Sequence, residues 1–278
     1  MDLTVAVPCY NGARYVGPTI ESLLNQSRPA DEIIVVDDGS KDESIDIIRR
    51  YPVTLVQHER NRGLSSARNT AIDTASGDVL VFIDVDALAD GHLLEMLRSG
   101  YDAPRVGGVG GQGIESNIHS LADRWRRAHA SQTHGSRPKD VEAFFGLCMS
   151  YRLDALRSVG GFNENFRTNG EDLDVGIRLN AAGYRLRYVP EAKVYHQRTD
   201  DEASLKRTMV AWHTGAYHAK RVNNYQAWRV FAGALRRPVV DPLSDLFVRR
   251  DLSLARLSWQ IGWLKLAALV QTVRDSDF

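Results

Sequence analysis

The first hundred residues of this 278-residue chain alternate short apolar runs with stretches of helical periodicity, and that alternation limits the folds open to it. Residues 3–7 and 33–36 read as strands, and the second is too continuously apolar for a sheet with one wet face. Between them Tyr15, Val16, Thr19, Ile20, Leu23 and Leu24 recur at three- and four-residue spacing, which predicts a helix of about three turns. Residues 53–56 and 79–83 are further strands, separated by a helix over 64–75. The pattern predicts an α/β fold, a mostly parallel twisted sheet flanked by helices. In such sheets ligands bind beyond the carboxyl ends of the strands. Those ends are Pro8-Cys9-Tyr10-Asn11, Asp37-Asp38-Gly39-Ser40, His58 to Gly63 and Asp84-Val85-Asp86. Such a polar edge has the composition of a binding site.

Composition narrows the class. Hydrophobic residues make up 43% and charged residues 25%, enough apolar material for a sizeable core. Lys+Arg and Asp+Glu both total 35, so the mean charge indicates no polyanionic partner and nucleic acid is not expected. Cys9 and Cys148 lie in apolar surroundings and read as buried free thiols. Met1-Asp2-Leu3-Thr4 lacks the basic and apolar regions of a signal peptide, and Lys265 interrupts the most apolar stretch, 257–273. The expected location is the cytoplasm.

Beyond residue 106 the pattern loosens. Residues 143–149 are expected as a strand, 130–142 as a mobile loop, and 171–182 as a helix with Gly183 past its end. Short strands over 185–189 and 192–195 flank Pro190, and the chain after about 200 looks helical. Gly108-Val109-Gly110-Gly111-Gln112-Gly113 satisfies G-x-G-x-x-G literally. It sits mid-chain and lacks the later acid, so a flexible or close-approach glycine segment is expected instead of a dinucleotide site. There is no Walker A pattern, zinc spacing or G-x-S-x-G elbow.

Asp84 and Asp86 end the strongest strand, and in an extended segment residues i and i+2 point to one side. Two hard oxygen donors suit Mg²⁺ or Mn²⁺, which takes its remaining ligands from water and phosphate. Glu171, Asp172 and Asp174 open a helix, where acids match the dipole or supply a general base. His196 closes a strand and gains weight if the fold brings it near Asp86.

Taken together, the sequence resembles the family 2 glycosyltransferases of the GT-A fold. The matching pieces, in the family's order, are VPCYN (7–11), EIIVVDDGS (32–40), NRGLSSARN (61–69), GDVLVFIDVD (77–86), GGFNENF (160–166), GEDLDVGIRLNAAGY (170–184) and VPEAKVYH (189–196). The resemblance implies a catalytic domain over 1–200, with a nucleotide-sugar half over about 1–105 and an acceptor half over about 106–200. A basic, Trp-rich helical extension follows over 201–278. It further implies that Pro8, Tyr10, Asn11 and Asp38 surround the nucleotide base. Asn61, Gly63, Arg68 and Asn69 would border the nucleotide, and Asp84, Val85 and Asp86 would also contact the nucleotide sugar, Asp84 near the ribose. Asp86 and His196 would hold Mn²⁺ or Mg²⁺, and Asp172 would be the catalytic base. Glu171, Gly146 and Trp212 are the acceptor-side candidates. The implied reaction is inverting transfer from a nucleotide-diphosphate sugar, UDP-linked by expectation, to a hydroxyl of a glycan or lipid-linked acceptor. The Gln-x-x-Arg-Trp motif of processive synthases is missing, since Asn223-Asn224-Tyr225-Gln226-Ala227-Trp228 does not supply it, so transfer is expected to be non-processive. The competing readings are a non-catalytic nucleotide- or membrane-binding relative and a sugar-phosphate nucleotidylyltransferase. The intact acids argue against the first. The absence of a glycine-rich basic loop after the first strand argues against the second.

The tail has its own character. Residues 203–274 carry twelve Lys/Arg against Asp241, Asp245 and Asp251, a net of 12 − 3 = +9. Trp212, Trp228, Trp259 and Trp263 all lie there, and Leu252, Ala255, Trp259, Trp263, Leu266 and Val270 fall near one helix face. Such a face either packs on the catalytic domain or contacts the inner surface of a membrane as a peripheral segment. The sequence leaves oligomeric state open.

Overall fold

A computed structural model describes residues 1–225 and 227–275. The expectation of a helical tail to residue 278 therefore falls partly outside the described residues, at Gln226 and 276–278. The elements run β1 (Leu3–Cys9), α1 (Val16–Leu24), β2 (Glu32–Asp37), α2 (Ser44–Ile48), β3 (Thr54–Gln57), α3 (Leu64–Thr74), β4 (Val79–Ile83), β5 (Ala87–Ala89) and α4 (Leu93–Ser99). There follow β6 (Val106–Glu115), α5 (Leu121–His129), β7 (Lys139–Val141), β8 (Cys148–Arg152), α6 (Leu153–Ser158), α7 (Glu171–Ala181) and β9 (Arg185–His196). Three long helices close the chain: α8 (Glu202–Val222), α9 (Ala227–Phe247) and α10 (Leu252–Asp275).

The chain divides into two compact units. The first, residues 1–116 and 132–198, holds a mixed sheet in the order β3-β2-β1-β4-β8-β6-β9-β5, with β7 paired to β9. β3, β2, β1 and β4 run parallel, as the alternation predicts. From β8 outward antiparallel pairs enter. Alternate residues of the buried strands feed two cores. Leu3, Val5 and Val7 join Val16, Ile20 and Leu23 of α1 in one. Ala6, Ile34, Val36 and Phe82 join Ala67, Ala71 and Ile72 of α3 in the other. Both cysteines are free and buried.

Four local expectations are corrected in whole or in part. The glycine segment is not flexible: it is the ten-residue strand β6, and its glycines do permit close approach. A Cβ on Gly110 would enter the Phe144 ring, and one on Gly111 would meet the Ala192 carbonyl. The expected strand over 143–149 starts at Cys148, because Phe144 and Leu147 are loop residues that fill the core. The two strands around Pro190 are one strand, β9. Its register with β6 jumps from Gly110↔Tyr188 to Gln112↔Lys193, so Pro190 sits in the irregular stretch where no ladder N–H is needed. Within 130–142, β7 pairs with β9, and Tyr188 Oη donates to the Gly135 carbonyl at 2.9 Å, so the segment is tethered.

The second unit comprises 117–131 and the chain from 199 onward. Its core joins Ala122 and Trp125 of α5 to Leu205 and Met209 of α8 and Leu254, Leu257 and Ile261 of α10. Asp201 caps α8 through the Ser204 N–H, and Ser120 caps α5 through the Asp123 N–H, each within a reciprocal capping box.

Candidate active site

Most of the residues singled out in the sequence follow β1, β2, β3 and β4, lie on α3 and the first turn of α7, or end β9. Pro8 is buried in β1, whereas Tyr10 is 46% exposed just beyond it. Asn11 adopts a left-handed backbone (φ 49°). Its N–H donates to Ser40 Oγ (2.8 Å) and its Oδ1 accepts from the Lys41 N–H (2.9 Å), which locks the loops after β1 and β2 together. Asp38 is buried and fully engaged. It accepts from the Arg62 and Gly63 N–H groups, both at 2.8 Å, and meets His58 Nδ1 at 2.6 Å. Asp38 therefore shapes the 58–63 loop. Gly63 has φ 100° and faces the Arg167 backbone, whose carbonyl accepts from the Leu64 N–H. Asn61 Oδ1 accepts from Arg167 Nη2 at 3.2 Å. Asn69 exchanges two hydrogen bonds with the Phe162 backbone, at 2.8 and 2.9 Å, and so pins the GGFNENF loop.

Arg68 is the hub. Its side chain is fully buried and lies over the rings of Phe82 and Phe162. Nη1 donates to Glu171 Oε1 at 2.6 Å, and Nη2 donates to Asp84 Oδ1 at 3.1 Å and to the Gly146 carbonyl at 3.3 Å. Glu171 is itself only 3% exposed, and its Oε1 is held by Arg68. Gly146 returns its N–H to Asp172 Oδ2 at 3.1 Å, and Asp172 Oδ1 accepts from the Leu173 N–H at 2.8 Å. The left-handed Gly170 (φ 94°) starts α7 and sets these acids on its first turn. Burial, then the neighbouring Glu171 charge, push the Asp172 carboxyl up to about 7, against Arg68 and the two N–H donors. Burial likewise pushes Asp84 up to about 6 despite Arg68, with Asp86 and Glu171 adding.

Asp84-Val85-Asp86 is a turn, closed by the Ala87 N–H on the Asp84 carbonyl (3.0 Å), and not the extended segment expected. The two carboxylates accordingly take different partners. Asp84 meets Arg68, and Asp86 Oδ2 lies 3.4 Å from His196 Nε2. Val85 packs on Gly12, and its carbonyl accepts from Thr19 Oγ1 at 2.7 Å.

The sheet explains the Asp86–His196 approach. In β9, His196 is paired to Ala87 of β5 on one side and to Glu115 of β6 on the other. Glu115, which sequence reasoning missed, takes His196 Nδ1 at 3.0 and 3.1 Å with its two oxygens. Burial disfavours the imidazolium, but hydrogen bonds and charge from Asp86 and Glu115 push His196 up to about 9. For Asp86, the same contact with His196 outweighs burial and holds the carboxyl below its usual range.

These residues fit a divalent cation. A carboxylate held on Nδ1 fixes a ligating histidine with Nε2 free to face the ion, and here Nε2 faces Asp86. Among the described residues no three His, Cys, Asp or Glu form a cage. Two protein donors suit an ion that completes its shell with phosphate and water. Trp212 lies in the other unit, packed against the Trp125 and Leu257 core.

The sequence profile described as glycosyl transferase family 2 matches residues 4–160, more than half of the chain. The chain belongs to glycosyl transferase family 2. A second profile, the N-terminal domain of galactosyltransferase, matches residues 126–200. The chain is 32% identical over 210 residues to the pre-mycofactocin glycosyltransferase of Mycobacterium tuberculosis, covering 70% of this chain and 42% of that protein. It spans about half the length of the curated relatives it matches, 42% and 54% of the first of them. Among solved structures, a mannosyltransferase from Pyrobaculum calidifontis in complex with GDP-Man and Mn²⁺ superposes with a TM-score of 0.69 at 21% identity, covering 98% of this chain and 87% of that one. S. aureus TarS 1–349 in complex with UDP gives 0.59 at 18% identity, covering 98% of this chain and 92% of that one. Both likenesses establish the GT-A fold.

Proposed function

We propose that this glycosyltransferase moves a sugar from a nucleotide-diphosphate donor, UDP-linked as the first expectation, to a hydroxyl of a glycan or lipid-linked acceptor. Transfer is inverting, metal-dependent and non-processive. The observation that carries the reading is Arg68. One buried guanidinium pairs with Asp84 and with Glu171, the close chain neighbours of Asp86 and Asp172. It thereby ties the candidate metal-holding turn and the candidate base to one place.

The nucleotide lies across the ends of β1 and β2, against Pro8, Tyr10 and Asn11 and the loop shaped by Asp38, Asn61 and Gly63. Asn69 fixes the opposite wall, and Asp84 faces the ribose. Asp86 and His196 hold Mn²⁺ or Mg²⁺, which when bound supplies Lewis-acid stabilisation of charge on the departing diphosphate. Asp172 takes the proton from the acceptor hydroxyl. The oxygen forms its bond to the anomeric carbon from the face opposite the breaking carbon–phosphate oxygen bond, so the centre inverts. A carboxyl raised toward neutrality is a better proton acceptor at working pH than an ordinary aspartate. The reading includes peripheral contact of the basic segment 203–274 with a membrane where the acceptor is lipid-linked.

Asp172→Asn tests the reading. The variant is expected to bind nucleotide as the parent does and to lose transfer from a panel of UDP- and GDP-sugars. Unchanged turnover would remove Asp172 as base.

A further inference from the structure

Of the last two helices α9 is inverted in polarity, whereas α10 buries Leu254, Leu257 and Ile261 and also carries large apolar side chains outward. α9 turns Asp241 and Asp245 inward, at 8% and 0% exposure, and carries Trp228 (67%), Val239 (57%) and Phe247 (71%) outward. The buried acids are matched. Asp245 binds His129 Nε2 at 2.8 Å and Ser258 Oγ at 2.5 Å, and Asp241 binds Arg237 at 2.9 Å. Nothing of that kind occupies the outer face. Trp228, Leu235, Val239 and Leu243 follow one another at seven- and four-residue steps, so they form one stripe. In α10, Leu252, Trp259 and Trp263 repeat the spacing, and the two indoles meet edge to face at 6.5 Å.

Both stripes lie on the same side of the helix pair. α9 and α10 are joined by four residues, 248–251, and run antiparallel. They touch where a Cβ on Gly262 would meet Pro238. Val239 and Trp263 each follow that contact by one residue, a rotation of about 100° in the same sense. In an antiparallel pair, equal rotations of the same sense bring both faces to one side. Arginines border this surface: Arg229 and Arg236 are exposed one position beyond Trp228 and Leu235, and Arg256 is exposed between Leu252 and Trp259. The Arg229 guanidinium lies over the Trp228 ring at 5.6 Å.

A contiguous apolar face of this kind needs an occupant. Tryptophan and phenylalanine with flanking arginines, in a segment of net charge +9, match the boundary of an anionic bilayer, where indoles sit at the headgroups and arginines meet phosphates. No helix among the described residues is long and apolar enough to cross a membrane, so the helices lie in its surface. We infer that the shared outer face of α9 and α10 is a docking surface for an anionic phospholipid membrane. The inference goes beyond sugar transfer and does not depend on it.

The test is co-sedimentation of the full chain with vesicles of phosphatidylcholine alone and of phosphatidylcholine mixed with phosphatidylglycerol. The expected result is partition to the anionic vesicles, with a blue shift of tryptophan emission and weakening by salt. Arg229→Gln with Arg236→Gln should weaken partition roughly thirtyfold. Trp228→Glu with Phe247→Glu should abolish it, and circular dichroism on each variant checks that the helices persist. Absence of the parent from anionic vesicles, or partition that ignores the arginines, would overturn the inference. So would a dimer in light scattering that Trp228→Glu dissociates, because the face would then belong to a second copy. Nucleotide binding by the same preparations reports separately on the donor site.

Discussion

Replacing Arg68 by Met puts the buried ion-pair hub to a quantitative test. The change keeps an unbranched side chain of similar reach between Phe82 and Phe162, so the cavity is small. The charge is lost, however, and Glu171, whose side chain is 4% exposed, is left without its 2.6 Å partner. Stranding one member of a buried pair costs about 3–5 kcal/mol. Asp84 adds less, because its side chain is 31% exposed and water screens it. The expected loss is therefore about 3–5 kcal/mol, a large part of a typical domain's stability. Restoring neutrality with Glu171→Gln in the Arg68→Met background should recover part of it, giving a coupling energy of about 1–3 kcal/mol. The pH dependence has a definite sign. Asp84 and Asp172 are already raised by burial, and losing Arg68, which lowers both, leaves the folded state holding their protons still more readily than the unfolded chain does. Its stability then falls as pH rises, and the deficit relative to the parent shrinks on acidification. Urea denaturation followed by circular dichroism, at neutral pH and about two units lower, reads both effects. A variant within about 1 kcal/mol of the parent, or a deficit that grows in acid, would mean that Arg68 does not neutralise a buried carboxylate.

Three other outcomes follow from the same geometry. Because its folded pKa is raised, ionised Asp172 opposes folding above its unfolded pKa, so Asp172→Asn should stabilise the protein at neutral pH by about 1–2 kcal/mol while transfer is lost. Reduced stability with transfer intact would contradict this. In the parent, transfer rate should rise with pH through about 7 as Asp172 ionises, and a flat profile across that range would argue for another base. Glu115→Gln keeps the shape beside His196 but removes the carboxylate on Nδ1, so calorimetric Mn²⁺ affinity in the presence of UDP should fall about 10–100-fold. Unaltered Mn²⁺ affinity would mean that His196 is oriented by other contacts.

What the sequence disclosed depended on the range of the interaction. β1, β2 and β4 announce themselves because both faces are buried, and α1, α3 and α7 because their apolar positions recur at the helical period. The polar strand ends were legible for the same reason. Glu115 was not. Its partnership with His196 comes from the register of β6 against β9 across 81 positions, which no local pattern encodes. The glycines of β6 read as a flexible or close-approach segment and not as a strand, because what they make room for, Phe144 and the Ala192 carbonyl, lies far along the chain. Asp84 and Asp86 were legible as a pair, but the turn that sends one to Arg68 and the other to His196 was not. The inverted face of α9 escaped notice because its inward acids, Asp241 and Asp245, look like surface residues until their partners are placed.

The proposed nucleotide-sugar site holds a divalent cation at Asp86 and His196. Calorimetric titration of the purified protein with UDP, GDP and dTDP, each with and without Mn²⁺, tests it most directly when repeated on Asp86→Ala. The expected result is tight, Mn²⁺-dependent binding of one nucleotide to the parent and its loss in the variant. Binding of no nucleotide under any condition, or equal Mn²⁺-dependent binding by both proteins, would contradict it.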